Sequence, residues 1–254
     1  MKITLLQRDI VWADPEANRR RNDLLFADGG GSDLYVFPEM FSTGFCTQPE
    51  ASAEEEPSAT LGWMKEKAAQ YHCALAGSIA VRERERYFNR FYFVFPDGRC
   101  EHYDKKHLFT FGGEHRHFTP GEERVVVSYA GVRILLQICY DLRFPVWSRN
   151  RGDYDMIVYV ASWPKPRTAA WKQLLRARAI ENQCYVAGVN RCGCDPCNEY
   201  EGGTVLLDPY GNALGECPDG TESRISAQID MDELRAFREK FPVLEDADRF
   251  VLTR

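Results

Sequence analysis

Apolar residues along this chain fall into short dense runs, separated by segments that carry either a helical period or a cluster of turn formers. The opening ITLLQ reads as a strand. A segment begun by Pro15, rich in arginine and with Leu24, Leu25 and Phe26 on an apolar side, reads as a helix to about Phe26. After the turn signal DGGGSD comes LYVFPEMF. It is nearly continuous in apolar residues, as a strand covered on both faces should be, and is ended by Pro38 and Glu39. Residues 58–72 place Leu61, Met64, Lys65 and Ala68 at helical spacing. ALAGSIAV, YFNRFYFVF and RCEHYDKKHLF then read as successive strands, with RERER and PDG as the turns between them.

A long Gly- and His-containing connection, TFGGEHRHFTPGEE, leads to VVVSYA and VRILLQICYDLRFP, with Gly131 at the hairpin turn. Cys139 is therefore predicted at the end of a buried strand. A short polar helix from Arg143 to about Arg151 and the strand DMIVYVASW follow, so the second half repeats the plan of the first. Repeated β-α-β units with apolar strands predict a layered α/β sandwich, whose active groups gather at the carboxyl ends of its strands. Glu39, Cys139 and Trp163 all take that kind of position. Residues 168–182 form the clearest helix, with Trp171, Leu174, Leu175 and Ala179 on one face. YVAGVN, TVLLD and RISAQID read as strands, and DELRAFREKF as a last amphipathic helix. No linker or low-complexity stretch interrupts the run, so a single domain over residues 1–254 is expected.

Composition narrows the function classes. The hydrophobic fraction of 44% and charged fraction of 28% are those of an ordinary globular chain. A formal net charge of -6 argues against a nucleic-acid partner, which would need clustered basic residues; Arg19, Arg20 and Arg21 read as a solvated helix face. The N-terminal apolar run stops at Leu6, too short for a signal segment or a membrane span. Nine cysteines, an odd number in a chain this long, fit reduced thiols in the cytoplasm better than a disulfide framework.

A free cysteine is usually a small buried hydrophobe. Cys139 stands out because it ends a buried strand and precedes the turn-forming YDLRFP, so its sulfur can face a cavity with the next backbone N–H as an oxyanion donor. A thiol needs a base or a cation near it to react at neutral pH. His72, His102, His107, His115 and His117 form no recognisable Cys–His signature, which turns attention to a carboxylate and an ammonium. Cys192, Cys194 and Cys197 cluster in RCGCDPC, but no second Cys or His pair has the spacing of a zinc site, and no metal is expected. A non-catalytic metal-binding or assembly module built on that cluster is the alternative of another class.

FPEMF with Glu39, YDKKHLF with Lys105 and ICYDLRFP with Cys139 together resemble the nitrilase, or carbon-nitrogen hydrolase, superfamily. The likeness continues through WPKPRTAAWKQLLRARAIENQCYVAGVNR and DPYGNALG, and is strongest to the ω-amidase branch. That resemblance implies a four-layer αββα sandwich pairing into a homodimer or higher homo-oligomer, with the helix from Thr168 to Asn182 as an interface element. It also implies cysteine-dependent hydrolysis of a small-molecule amide without a cofactor. Glu39 would be the general base, Lys105 the oxyanion holder, Cys139 the nucleophile and Glu114 a second glutamate at the site. Period-two geometry would turn the adjacent Lys106 to the opposite face of its strand. Asp141 and Arg143 are expected to form a local ion pair, and Phe41, Tyr140 and Trp163 to wall the acyl pocket. The ω-amide of a short α-keto dicarboxylic acid is the expected substrate, with nitrile or N-carbamoyl amide hydrolysis as the alternative in the same superfamily.

Overall fold

Each of two mixed sheets is built around three parallel strands, and these parallel cores are the two halves of the repeated plan. A computed structural model describes residues 1–26 and 30–252; Asp28 and Gly29 of the expected DGGGSD turn lie outside the described residues. The first half of the chain supplies β1 (Lys2–Gln7), β2 (Leu34–Val36), β3 (Glu54–Glu55), β4 (Ala74–Glu83), β5 (Arg86–Val94) and β6 (Cys100–Asp104). From the second half come β7 (Val126–Tyr129), β8 (Val132–Ile138), β9 (Met156–Ala161), β10 (Tyr185–Asn190), β11 (Cys192–Cys194), β12 (Glu199–Glu201), β13 (Val205–Leu207), β14 (Ala213–Glu216) and β15 (Ser223–Gln228). The first sheet runs β15-β1-β2-β4-β5-β6, with β3 on β4, and the second β14-β13-β10-β9-β8-β7, while β11 and β12 form a separate hairpin. β1, β2 and β4 are parallel, as are β8, β9 and β10.

Alternation along the strands decides which layer each residue joins. Ile3 and Leu5 of β1, Leu34 and Val36 of β2, and Phe91 and Phe93 of β5 face Ile134, Leu136, Met156 and Val158 of the second sheet in one central core. The neighbours between them, Leu6, Tyr35 and Phe37, point outward, where α2 (Ala59–Tyr71) covers the sheet through Leu61, Met64 and Ala68, with α1 (Pro15–Asp23) packed beside α2. On the far side Leu135, Ile157 and Val186 pack against Trp171, Leu175 and Ala179 of α4 (Thr168–Asn182), which follows the four-residue α3 (Pro145–Ser148). The result is the expected αββα sandwich. With apolar groups buried on both faces, the parallel strands read as continuous rather than alternating hydrophobic runs.

Local chemistry sets the helix ends. Asp14 accepts from Ala17 N at 2.9 Å ahead of Pro15, and Ser58 accepts from Leu61 N at 3.0 Å. Asp230 caps α5 (Met231–Lys240) through Asp232 N and Glu233 N. Two expected elements differ. The polar helix placed at 143–151 is a 3-10 turn, Cys139–Arg143, followed by α3, because Pro145 can only begin a helix. The strand drawn through RCEHYDKKHLF stops at Asp104, which leaves Lys105 in the connection beyond it. Among the described residues no helix is long and apolar enough to cross a membrane.

Two glycines test this packing in opposite directions. Gly62 is exposed inside α2 and a Cβ there would meet nothing within 4 Å, so Gly62→Ala should stabilise by roughly 0.5–1 kcal/mol. At Gly188 a Cβ would lie 2.3 Å from Leu175 Cδ1 and 3.0 Å from Trp171 Cζ2, so Gly188→Ala should destabilise by roughly 1–3 kcal/mol. Thermal denaturation of the two variants checks both signs.

Candidate active site

The four candidate catalytic side chains are delivered by four connections, each tied to the sheets. After β2, Phe37 N donates to Ala76 O at 2.7 Å, and Met40 N and Phe41 N donate to Ser78 Oγ and Ser78 O at 2.8 and 3.1 Å. The chain turns sharply there, with Met40 at φ 46°, and sends the Glu39 carboxylate inward. Lys105 continues from β6, its N–H on Asn89 O at 3.0 Å. Glu114 opens a 3-10 turn after Gly113, whose φ of 79° is the left-handed conformation that glycine adopts without cost. Cys139, the first residue after β8, sits at φ 44°. Left-handed backbone at a non-glycine residue costs on the order of 1–3 kcal/mol and persists only where the surroundings enforce it.

Glu39, Lys105 and Glu114 are fully buried, and Cys139 is half-buried. The Lys105 ammonium donates to Glu39 Oε1 at 2.8 Å and to Glu114 Oε2 and Oε1 at 2.9 and 3.1 Å. Glu39 Oε2 also accepts from Ser162 N at 2.8 Å, and Glu114 Oε2 from Phe109 N at 2.6 Å. Burial alone would lower the ammonium's pKa, but the charges of Glu114 and Glu39 outweigh it and hold Lys105 above its ordinary value. Burial and the neighbouring Glu39 push Glu114 up, against the pull of Lys105. The Cys139 thiol is pushed well up by burial and by Glu39, with Lys105 opposing, so it rests as a thiol whose proton the Glu39 carboxylate can accept.

Asp141 does not pair with Arg143 as expected. It is fully buried and accepts from Ile138 N at 2.9 Å, Tyr103 Oη at 2.8 Å and His107 N at 3.0 Å, with His107 Nδ1 2.8 Å away. One carboxylate thus ties the strand end that carries Cys139 to the connection that carries Lys105. Arg143 points the other way, its guanidinium 4.9 Å from the Trp163 ring centroid. Lys106 turns out of the site, with Nζ 5.4 Å from the Trp147 ring.

Above these groups lies a cavity of about 470 Å³, with Cys139 and Ser162 in its wall. Tyr140 and Trp163 line it, and Trp163 is fixed by bonds from its backbone N to Asn190 Oδ1 and from its indole to Arg167 O, both 2.7 Å. Phe41 does not line it. That ring stacks on Phe37 at 4.7 Å in the core under α2, because the turn at Met40 reverses the side-chain direction, and Phe45 supplies the cavity wall instead. Arg167 and Tyr200 are further lining residues that the sequence did not single out: Arg167 sits inside the WPKPRTAAW stretch with nothing local to set it apart from the arginines around it, and Tyr200 lies outside every motif. Asn89 was missed for another reason: within YFNRFYFVF it is one polar residue in an apolar strand.

The cysteine cluster forms the hairpin β11–β12 at the cavity rim. Asp195 Oδ1 organises its turn by accepting from Cys197 N and Asn198 N, both at 2.7 Å, while Asp195, Cys197 and Asn198 face the cavity. Among the described residues no group of three or more His, Cys, Asp or Glu side chains is arranged to hold a metal ion.

A sandwich of this topology, with a buried Glu-Lys-Glu cluster against a strained cysteine, defines a carbon-nitrogen hydrolase: the model of that family matches residues 2–239, and the chain belongs to it. It is 46% identical over 254 residues to an omega-amidase, YafV, of Escherichia coli, covering 99% of this chain and 98% of that one. To a 2-oxoglutaramate amidase of Bacillus subtilis it is 35% identical over 250 residues, covering 96% of each. A CN-hydrolase superfamily protein of Xanthomonas campestris, whose crystal structure carries an arsenic adduct in the active site, matches with a TM-score of 0.97 at 41% identity, over 100% of this chain and 99% of that one.

Asp141→Asn replaces a buried acceptor of several bonds by an amide with one oxygen. Leaving buried donors unpaired costs roughly 1–3 kcal/mol. The variant should show a lower Tm together with a lower kcat, as both connections that Asp141 joins become looser. An unchanged Tm and kcat would show that the carboxylate joins nothing of consequence.

Proposed function

We propose that this protein hydrolyses the ω-amide of a short α-keto dicarboxylic acid to the dicarboxylate and ammonia. One observation carries the chemistry: a lysine ammonium held between two buried carboxylates, next to a thiol at a cavity wall. Glu39 takes the Cys139 proton as Sγ attacks the amide carbonyl carbon. The Lys105 ammonium and the Tyr140 N–H hold the developing oxyanion. Collapse of the tetrahedral intermediate expels ammonia, with the proton returned from Glu39, and leaves a thioester. Water, deprotonated by Glu39, then attacks the thioester and releases the acid and the thiol. Glu114 keeps Lys105 aimed and balances its charge.

Substrate choice rests on the similarity to omega-amidases and on the charges of the cavity. The guanidiniums of Arg143 and Arg167 lie against Trp163 and Phe109 at 4.9 and 5.4 Å, and among the described residues neither makes an ion pair. The one acid in the lining, Asp195, is occupied by its own hairpin. Two unpaired guanidiniums suit a substrate that brings a distal carboxylate. An α-ammonium beside them would be desolvated and repelled, so keto amides are favoured over glutamine and asparagine. Pairing of two copies through the outer face of α4 fits the exposure of Ile180, Tyr210 and Phe241, 55–59% each. The nine free cysteines fit the cytoplasm.

Lys105→Ala should lower kcat by on the order of 10²- to 10³-fold, as loss of an oxyanion donor does, and Lys106→Ala should change it little. Cys139→Ala should release no ammonia while keeping its fold. Equal losses at the two lysines would overturn the assignment of Lys105.

The substrate is decided by kcat/KM over α-ketoglutaramate, α-ketosuccinamate, glutamine, asparagine, a simple nitrile and an N-carbamoyl amino acid. The keto amides should rank first, and Arg143→Gln or Arg167→Gln should raise their KM more than that of an uncharged amide. Preference for the nitrile or the carbamoyl compound would reject the ω-amide reading and leave the nucleophile as assigned.

A further inference from the structure

Asn89 of β5 is almost fully buried, at 1% exposure, and its side chain touches both carboxylates of the catalytic cluster. Its amide nitrogen donates to Glu39 Oε1 at 2.7 Å and to Glu114 Oε1 at 3.1 Å. Its backbone carbonyl accepts from Lys105 N at 3.0 Å. The remaining atom, Oδ1, is buried and has no hydrogen-bond partner among the described residues. Turning the amide over would set that oxygen against two carboxylates, so the charges dictate which way the side chain faces.

The charge count explains why a neutral donor belongs here. Two carboxylates and one ammonium, all three fully buried, leave one excess negative charge, and two like charges so close resist being ionised together. A group that adds positive dipole toward both carboxylates, without adding a proton that can leave, offsets this repulsion. The two N–H bonds of one amide do so at one oxygen of each carboxylate, Glu39 Oε1 and Glu114 Oε1, both of which also accept from Lys105.

We propose that Asn89 is a positioning residue of the reaction: its amide clamps Glu39 and Glu114 in register on either side of Lys105, so that Glu39 stays available as the base for Cys139. The proposal rests on Glu39 acting as that base. The groups facing the clamp are Glu39, Glu114, Lys105 and Cys139, together with Tyr200 on β12, whose phenol also senses Glu39. A hydrogen bond to a charged group is worth about one to two pH units in its titration, so removing the clamp should move the acid limb of activity upward by about one unit or more.

The test compares wild type with Asn89→Ala, Asn89→Asp and Glu39→Gln, using kcat/KM for α-ketoglutaramate against pH and, independently of turnover, the pH dependence of Cys139 alkylation followed by mass spectrometry. Asn89→Ala should lower kcat by at least about tenfold with a smaller effect on KM, and both acid limbs should shift upward. Asn89→Asp adds a third carboxylate; its activity should be lowest above neutral pH and recover in part as the pH falls and the new acid gains a proton to donate. Should Asn89→Ala fail to fold, Asn89→Asp, of the same shape, decides alone. A loss of activity in Asn89→Asp that does not vary with pH, or an Asn89→Ala enzyme whose acid limbs stay in place, overturns the proposal and leaves Asn89 with a packing role. An inactive Glu39→Gln beside such a result rejects the clamp only, whereas wild-type turnover in Glu39→Gln rejects the base and the clamp together.

Discussion

The burial of the Lys105 ammonium between the Glu39 and Glu114 carboxylates, at 2.8 and 2.9 Å, is the constraint around which the rest of this molecule is arranged. Taking three charges out of water is costly, and their mutual attraction repays it only if every remaining lone pair and proton finds a partner. The structure meets that condition with backbone donors at Ser162 and Phe109 and with the side chain of Asn89. Each donor belongs to a different segment. None of them can be held in place by local structure alone, so the site depends on the sandwich being complete.

The two sheets provide that rigidity, and the strain at the site shows how it is used. Met40 and Cys139 both take left-handed backbone, at φ 46° and 44°, one residue after Glu39 and at the proposed nucleophile. Such conformations are kept because the strands before them are locked on both faces by apolar packing. Asp141 adds a second lock, joining the end of β8 to the connection after β6 through Ile138, Tyr103 and His107. Stability is thus given up at single residues to hold a thiol, a carboxylate and an ammonium in one geometry, which is what the proposed reaction requires.

Reading along the chain, the layers and most strands were legible because burial on both faces writes an unbroken apolar run, and α4 because its period is clear. The ends were less so: β6 stops before Lys105, and the region after Cys139 is a 3-10 turn and one helical turn rather than a polar helix. Glu39, Lys105 and Cys139 were visible through their motifs. Glu114 was named on a loop without fixed spacing, and tertiary packing brings it to Lys105. Phe41 and the Asp141–Arg143 pair were misplaced because local spacing does not reveal a left-handed turn or a partner that lies 38 residues away.

What the sequence by itself determined is the chemistry available and the layering: which residues can attack, take a proton or hold a charge, and which runs must be buried. Only the tertiary structure decided which further groups complete the site. Asn89, Ser162, Arg167 and Tyr200 carry no signal of their own, since a lone polar residue in an apolar strand, a backbone N–H and a rim arginine look the same in any soluble chain. Their meaning comes from distance, and distance between residues 39, 89, 114 and 162 is set by how two sheets stack, a property that no window of the sequence contains.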